Sequence, residues 1–412
     1  MRSANLCLSA LAAATLTFVC FAAPSSGQQG DRLSSPAIDD GRQWFEPGAD
    51  RSANSGIRRA AIAAAFNEAA AETLLRGIIR SNPRSDDASQ AHELLSRTYL
   101  RTGRYKRLID NLDQWAASFP NRPEVQEEKS DVEQFRGLPD QRNGAHRVST
   151  LRHDPGDWSV PVSINGKSAT YLLDTGAWIS VMTESEATRL GLEIRAGSGV
   201  LGDPSGKGVT VRTAVARDVR LGEMRFQRVS FAILPNQEPW SSIPPGEGGI
   251  LGMPIWLAVR HVKWSDRGTW ELGGRSGAVD RSSRNVVFSE NRLLVAMSIS
   301  GTRVFGIVDT GANGTDLNAN FAEEFPALLQ NGTRETRDIT GLGGTTSVSS
   351  IILSEVLLEI GPTRVVLRPA HVTLQRTAAI GGTCCIGNIG RDVLGQTGQF
   401  VLDLSAMTLK LQ

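Results

Sequence analysis

The sequence predicts a multidomain, mainly β chain: two β-barrel lobes arising from one duplicated unit, preceded by a small α-helical hairpin domain. Three observations carry that expectation. Residues 55–136 are rich in Ala, Leu, Glu and Arg with apolar positions at helical spacing. Beyond residue 156 the chain turns to short alternating or β-branched runs, such as WSVPVSI and FQRVSFAIL, between glycine-rich turns. That β region then contains itself twice. The 412 residues suffice for two or three domains with a substantial core. With 44 Lys+Arg against 43 Asp+Glu, a sequence-independent hold on nucleic acid is not expected, since it needs a basic excess.

At the N-terminus, Met1-Arg2 precedes an apolar run from Leu6 to Ala23, followed by Pro24 and Ser25-Ser26-Gly27. Residues 1–27 read as a secretory signal cleaved near Ala23 or Gly27. Retention as a membrane anchor is the alternative, because the run approaches spanning length. Export is expected, with no stable membrane insertion once the signal is removed. Residues 28–54, rich in Gly, Ser, Asp and Pro, read as a disordered leader.

Within the helical region, Leu95, Tyr99, Gly103, Tyr105 and Pro120 fall at spacings that resemble a tetratricopeptide repeat, and Pro83 and Pro120 lie 37 residues apart. Leu108 and Trp115 depart from the small residues of that pattern. One repeat with a partial neighbour implies a hairpin module, serving either as a structural cap or as a dock for a protein partner. Residues 137–156 read as a polar linker.

Cys7 and Cys20 belong to the signal, leaving the adjacent Cys384 and Cys385. They read as two buried thiols or a tight turn rather than a vicinal disulfide. Neither they nor the five scattered His offer metal-ligand spacing, so no metal and no cofactor are expected.

The duplication carries the chemistry. Asp174-Thr175-Gly176-Ala177 follows the apolar run Tyr171-Leu172-Leu173, and Asp309-Thr310-Gly311-Ala312 follows Gly306-Ile307-Val308. In both copies a turn glycine (Gly166, Gly301) sits eight residues before the Asp, and a hydroxyl (Ser180, Thr315) six residues after it. An apolar strand closing in glycine comes 78 and 81 residues downstream, ending at Gly252 and Gly390. One Asp-Thr-Gly would arise by chance in roughly one chain in ten of this length. Two copies with matched surroundings are a far stronger signal. The lobes span 157–273 and 285–412, joined by 274–284.

These two lobes resemble the retropepsin-like, bacterial branch of the aspartic protease family, over about 255 residues. The resemblance implies an exported, periplasmic or secreted endopeptidase acting on polypeptide. Asp174 and Asp309 would be its catalytic pair. Thr175 and Thr310 would cross-bond between loops, while Gly176 and Gly311 admit the backbone beside the carboxylates. Gly252 and Gly390 would pack behind them, with Ser180 and Thr315 in support. Two carboxylates a hydrogen bond apart share one proton, so one can act as base on water while the other polarises a carbonyl, the arrangement known for aspartic proteases generally. The glycine-rich stretches 196–208 and 339–347 stand where flap hairpins belong.

Departures from the resemblance are specific. Four residues after each Asp stand Trp178 and Asn313, where retroviral relatives often have an Asp paired with Arg. Only the second lobe keeps the Arg, as Arg391, which then needs another partner such as Asp392 or a backbone carbonyl. Trp178 reads either as pocket lining or as core. Gly166-Lys167-Ser168 lacks the first glycine of a phosphate loop, and no GxSxG is present. Two alternatives remain open at this level: a catalytically inactive peptide-binding scaffold on the same fold, and pairing of lobes across two chains.

Overall fold

The computed structural model describes residues 40–45, 56–145, 147–202, 208–238, 240–274, 281–341, 344–375 and 384–412. The signal, most of the leader, residues 275–280 and the tips of both glycine-rich stretches lie outside these. Among the described residues the N-terminal region forms five α-helices: α1 Gly56–Ala65, α2 Ala71–Ser81, α3 Asp86–Arg101, α4 Tyr105–Ser118 and α5 Pro123–Val132. Helix α3 begins where the Ser85 side chain accepts the Ala88 N–H, and Asp86 and Asp87 complement its positive end. It ends before Gly103, whose φ of +67° suits glycine. Helix α5 opens with Pro123, which has no N–H to leave unsatisfied. Leu95, Tyr99, Tyr105, Leu108 and Trp115 are all buried, and Trp115 Nε1 donates to Ser89 Oγ at 2.9 Å.

Both lobes are β, and they differ in closure. In the first, strands 159–164, 167–173, 249–251, 180–183, 224–234 and 208–221 form a ring, each hydrogen-bonded to the next and the last to the first. This is a closed six-stranded barrel. The second lobe is a ten-stranded sheet that curls into a half-barrel. The duplicated turns are alike: Asn165-Gly166 and Ser300-Gly301 all have positive φ (50° and 84°; 50° and 81°). Two such residues make the hairpin turn whose twist matches its strands.

A third sheet joins the lobes. The terminal runs of the two copies pair antiparallel, with His261 opposite Asp403 and Trp264 opposite Phe400. Strand 149–152 adds to its edge by pairing with 269–272. That strand and Arg142–Asn143, which pairs with Gln227 and Phe226, both come from the stretch read as a linker. Its polarity suits edge strands: Ser149 and Leu151 are buried while Thr150 and Arg152 are exposed.

Two further expectations are corrected. Residues 41–45 of the leader form a short 3-10 turn with Trp44 buried, and Arg42 donates to the Cys384 carbonyl at 2.6 Å. The apolar Trp44-Phe45 pair supplies an anchor that the leader's average composition hides. Cys384 and Cys385 are joined by a disulfide, not free thiols, and Arg292 lies 3.2 Å from the Cys384 sulfur.

Candidate active site

Each Asp is delivered by the same local construction. Strand 167–173 runs parallel to 249–251, and strand 302–308 runs parallel to 387–389. The inner strand of each pair is also antiparallel to the segment just after the Asp loop, so the chain is threaded between its own two neighbours. Asp174 N–H donates to Leu251 O and Asp309 N–H to Ile389 O, both at 3.0 Å. The duplicated hydroxyls lock the loops from behind. Ser180 Oγ accepts from Gly252 N at 3.1 Å, and Thr315 Oγ1 accepts from Gly390 N at 2.9 Å. Glycine is required at both closing positions. A methyl at Gly252 would come within 2.5 Å of Ala177 O, and one at Gly390 within 2.5 Å of Gly314 O.

The two loops meet. Thr175 N–H donates to Thr310 Oγ1 and Thr310 N–H to Thr175 Oγ1, both at 3.0 Å. Each hydroxyl then donates across to the strand before the other Asp: Thr175 to Val308 O and Thr310 to Leu173 O, both at 2.7 Å. The result is a reciprocal, fully buried clamp with near-twofold symmetry. Within it Gly176 N–H donates to Asp174 Oδ1 at 2.7 Å. Gly311 and Ala312 N–H both donate to Asp309 Oδ1 at 3.0 Å. A side chain at Gly311 would collide with the Asp174 carboxyl, so that carboxyl rests against the opposite loop.

Both Asp residues are fully buried. Burial pushes the Asp174 carboxyl up to about 6, against the pull of the Gly176 N–H and the Arg391 charge. Asp309 is raised well above its ordinary value, by burial and then by the charge of Asp174. Asp174 Oδ2 is buried with no donor among the described residues, leaving the facing Asp309 carboxyl as the group able to share a proton with it. The pair therefore titrates as a unit.

Arg391 finds the backbone carbonyl expected of it, while its Asn313 contact and the roles of Asp392 and Asn388 went unread in the sequence. Arg391 Nε donates to Thr310 O at 2.7 Å and its Nη1 to Asn313 Oδ1 at 2.9 Å, so an amide takes the place of the carboxylate partner. Arg391 also lies over the Trp158 ring at 5.6 Å. Asp392 accepts from the Thr315 hydroxyl at 2.7 Å, fixing the lock itself. Asn388 Nδ2 donates to Asp309 Oδ2 at 3.3 Å, where the first lobe has Ile250. A lone polar residue inside an apolar-apolar-Gly strand was the available signal. Trp178 lies in the core, 6% exposed and edge-on to Phe135 at 5.4 Å, so it joins the Asp174 loop to the helical region. The strands of both glycine-rich hairpins, 194–202 with 208–221 and 333–341 with 344–353, are present; their tips, 203–207 and 342–343, lie outside the described residues.

No group of three or more His, Cys, Asp or Glu suited to a metal ion occurs among the described residues. No helix among them is long and apolar enough to cross a membrane. No curated protein matches the chain. Residues 160–255, which carry the Asp174 loop, its Ser180 lock and the closing Gly252, match a family described as aspartyl protease.

Proposed function

We propose that the protein is an aspartic endopeptidase whose single site is built from both lobes. The observation that carries the reading is the reciprocal Thr175–Thr310 clamp, which brings two buried carboxyls with raised proton affinity face to face. With one proton on the pair, the ionised carboxylate takes a proton from water as its oxygen attacks the peptide carbonyl carbon. The protonated partner donates to the carbonyl oxygen. Collapse of the tetrahedral intermediate breaks the C–N bond, and the leaving amine takes its proton from the pair. Donors reach both carboxyls, Gly176 N–H on Asp174 and two N–H groups with the Asn388 amide on Asp309, so the charge of the singly protonated pair is supported on either side.

The two glycine-rich hairpins would act as unequal flaps, because the lobes differ in closure and in the residues beside each Asp. The signal-like N-terminus supports export to a bacterial periplasm or the exterior, and the tetratricopeptide-like helices support a further docking role. The test is cleavage of a mixed peptide library by the wild type, Asp174→Asn and Asp309→Asn. Loss of cleavage by at least 1,000-fold, roughly, in either variant is expected, since removing one member of a catalytic unit costs nearly as much as removing all. A folded wild type that binds peptides and cleaves none would favour the scaffold reading.

A further inference from the structure

A second charged region lies away from the carboxyl pair, in a cavity of about 700 Å³ between the helical region and both lobes. Its lining is short of negative charge. Glu68 is shared by Arg281 and Arg284, at 3.4 and 3.0 Å. Glu72 is shared by Arg76, Arg104 and Arg107. In the lining itself two carboxylates, Glu68 and Glu72, stand against five arginines, Arg101, Arg104, Arg260, Arg281 and Arg284, and Arg101 and Arg260 make no ion pair with a carboxylate among the described residues.

Arg101 is the telling member. It is only 3% exposed, and its Nη2 donates to Ala64 O at 2.6 Å and Thr98 Oγ1 at 3.4 Å. Its Nε is buried without any partner, and so is that of Arg284. The Phe288 ring covers the Arg101 guanidinium at 4.5 Å. Burial, then the neighbouring Arg104 charge, lowers its proton affinity to about 9. The contact to Ala64 explains one nitrogen and leaves a buried positive charge uncompensated, a costly arrangement when nothing negative is supplied.

We propose that this cavity binds a small molecule through an oxyanion group, phosphate or carboxylate. Guanidinium forks match either group with paired hydrogen bonds. Arg101 comes from α3, Arg260 follows the helix Met253–Val259 of the first lobe, and Arg281 and Arg284 lie between the lobes. A bound anion would therefore bridge all three parts of the molecule, and the site stands independently of peptide cleavage.

Calorimetric titration and thermal unfolding with inorganic phosphate and with citrate test it, using sodium chloride at matched ionic strength as reference. The expected result is saturable binding with a rise in Tm, weakened at least five-fold in Arg101→Gln and in the double variant Arg260→Gln/Arg281→Gln. Phosphate acting without citrate assigns a phosphoryl ligand; the reverse assigns a carboxylate. The double variant changes exposed rim residues and decides the matter if Arg101→Gln does not fold. No rise beyond chloride, or an equal response in the double variant, overturns the proposal.

Discussion

Thr175 and Thr310 each use one hydroxyl twice, as acceptor for a facing N–H and as donor to a facing carbonyl. Replacing either with Val strands two buried backbone groups. Urea unfolding should show a loss of roughly 2–4 kcal/mol, while Thr175→Ser should keep most of the stability. A Val variant as stable as the wild type would show that the clamp contributes nothing. The carboxyls make an opposite prediction. Their raised proton affinity means the folded state holds protons that the unfolded chain releases near its ordinary carboxylate range. Stability from the pair is complete below that range and falls as pH rises through the folded-state values. Asp309→Asn should therefore stabilise the fold at pH 8, by roughly 1–3 kcal/mol, and give little gain at pH 3. Cleavage should show a bell-shaped profile whose acid limb lies near 6 rather than near 4. These residues were legible because duplication marked them twice. Asn388 and the Asn313 partner of Arg391 were not, since what they touch depends on chain segments some 80 residues away.

At the scale of elements, each Asp loop depends on a short inner strand threaded behind it, and that threading leaves no room for a side chain at Gly252 or Gly390. Gly390→Ala would press a methyl to 2.5 Å from Gly314 O and 2.6 Å from Gly314 C, backbone atoms with nowhere to retreat. The expected cost is about 3 kcal/mol, read by chemical denaturation, with cleavage reduced more than stability because the Asp309 loop is displaced. A neutral substitution would mean that the loop tolerates displacement. The sequence showed the paired strands through their matched spacing and the hairpin turns through Asn-Gly and Ser-Gly. It concealed the strands at 142–143 and 149–152. Edge strands bury only one face, so their composition resembles that of a polar connector. Trp44 was hidden for a related reason, as one anchoring side chain in a stretch otherwise suited to disorder.

The whole molecule is tied together at two levels above the dyad's own contacts. The terminal strands of both lobes share one sheet, and Trp158, Trp264, Trp270 and Phe400 pack on one another across it, with Trp158 and Trp264 only 4.1 Å apart. The helical region is fastened to the first lobe through Phe135 against Trp178, Gln141 Nε2 to Pro254 O at 3.1 Å, and Arg195 to Gly137 O at 2.7 Å. Arg195 belongs to the first glycine-rich hairpin, so that hairpin's base is anchored on the helical side. Two lobes, one sheet and one clamp within a single chain make an intramolecular carboxyl pair the central claim. Its most direct measurement is peptide cleavage by Asp174→Asn alone, Asp309→Asn alone, and an equimolar mixture of the two. The account predicts that all three are inactive, because no chain in the mixture carries both carboxyls. Activity restored on mixing, or retained by either variant alone, would contradict it.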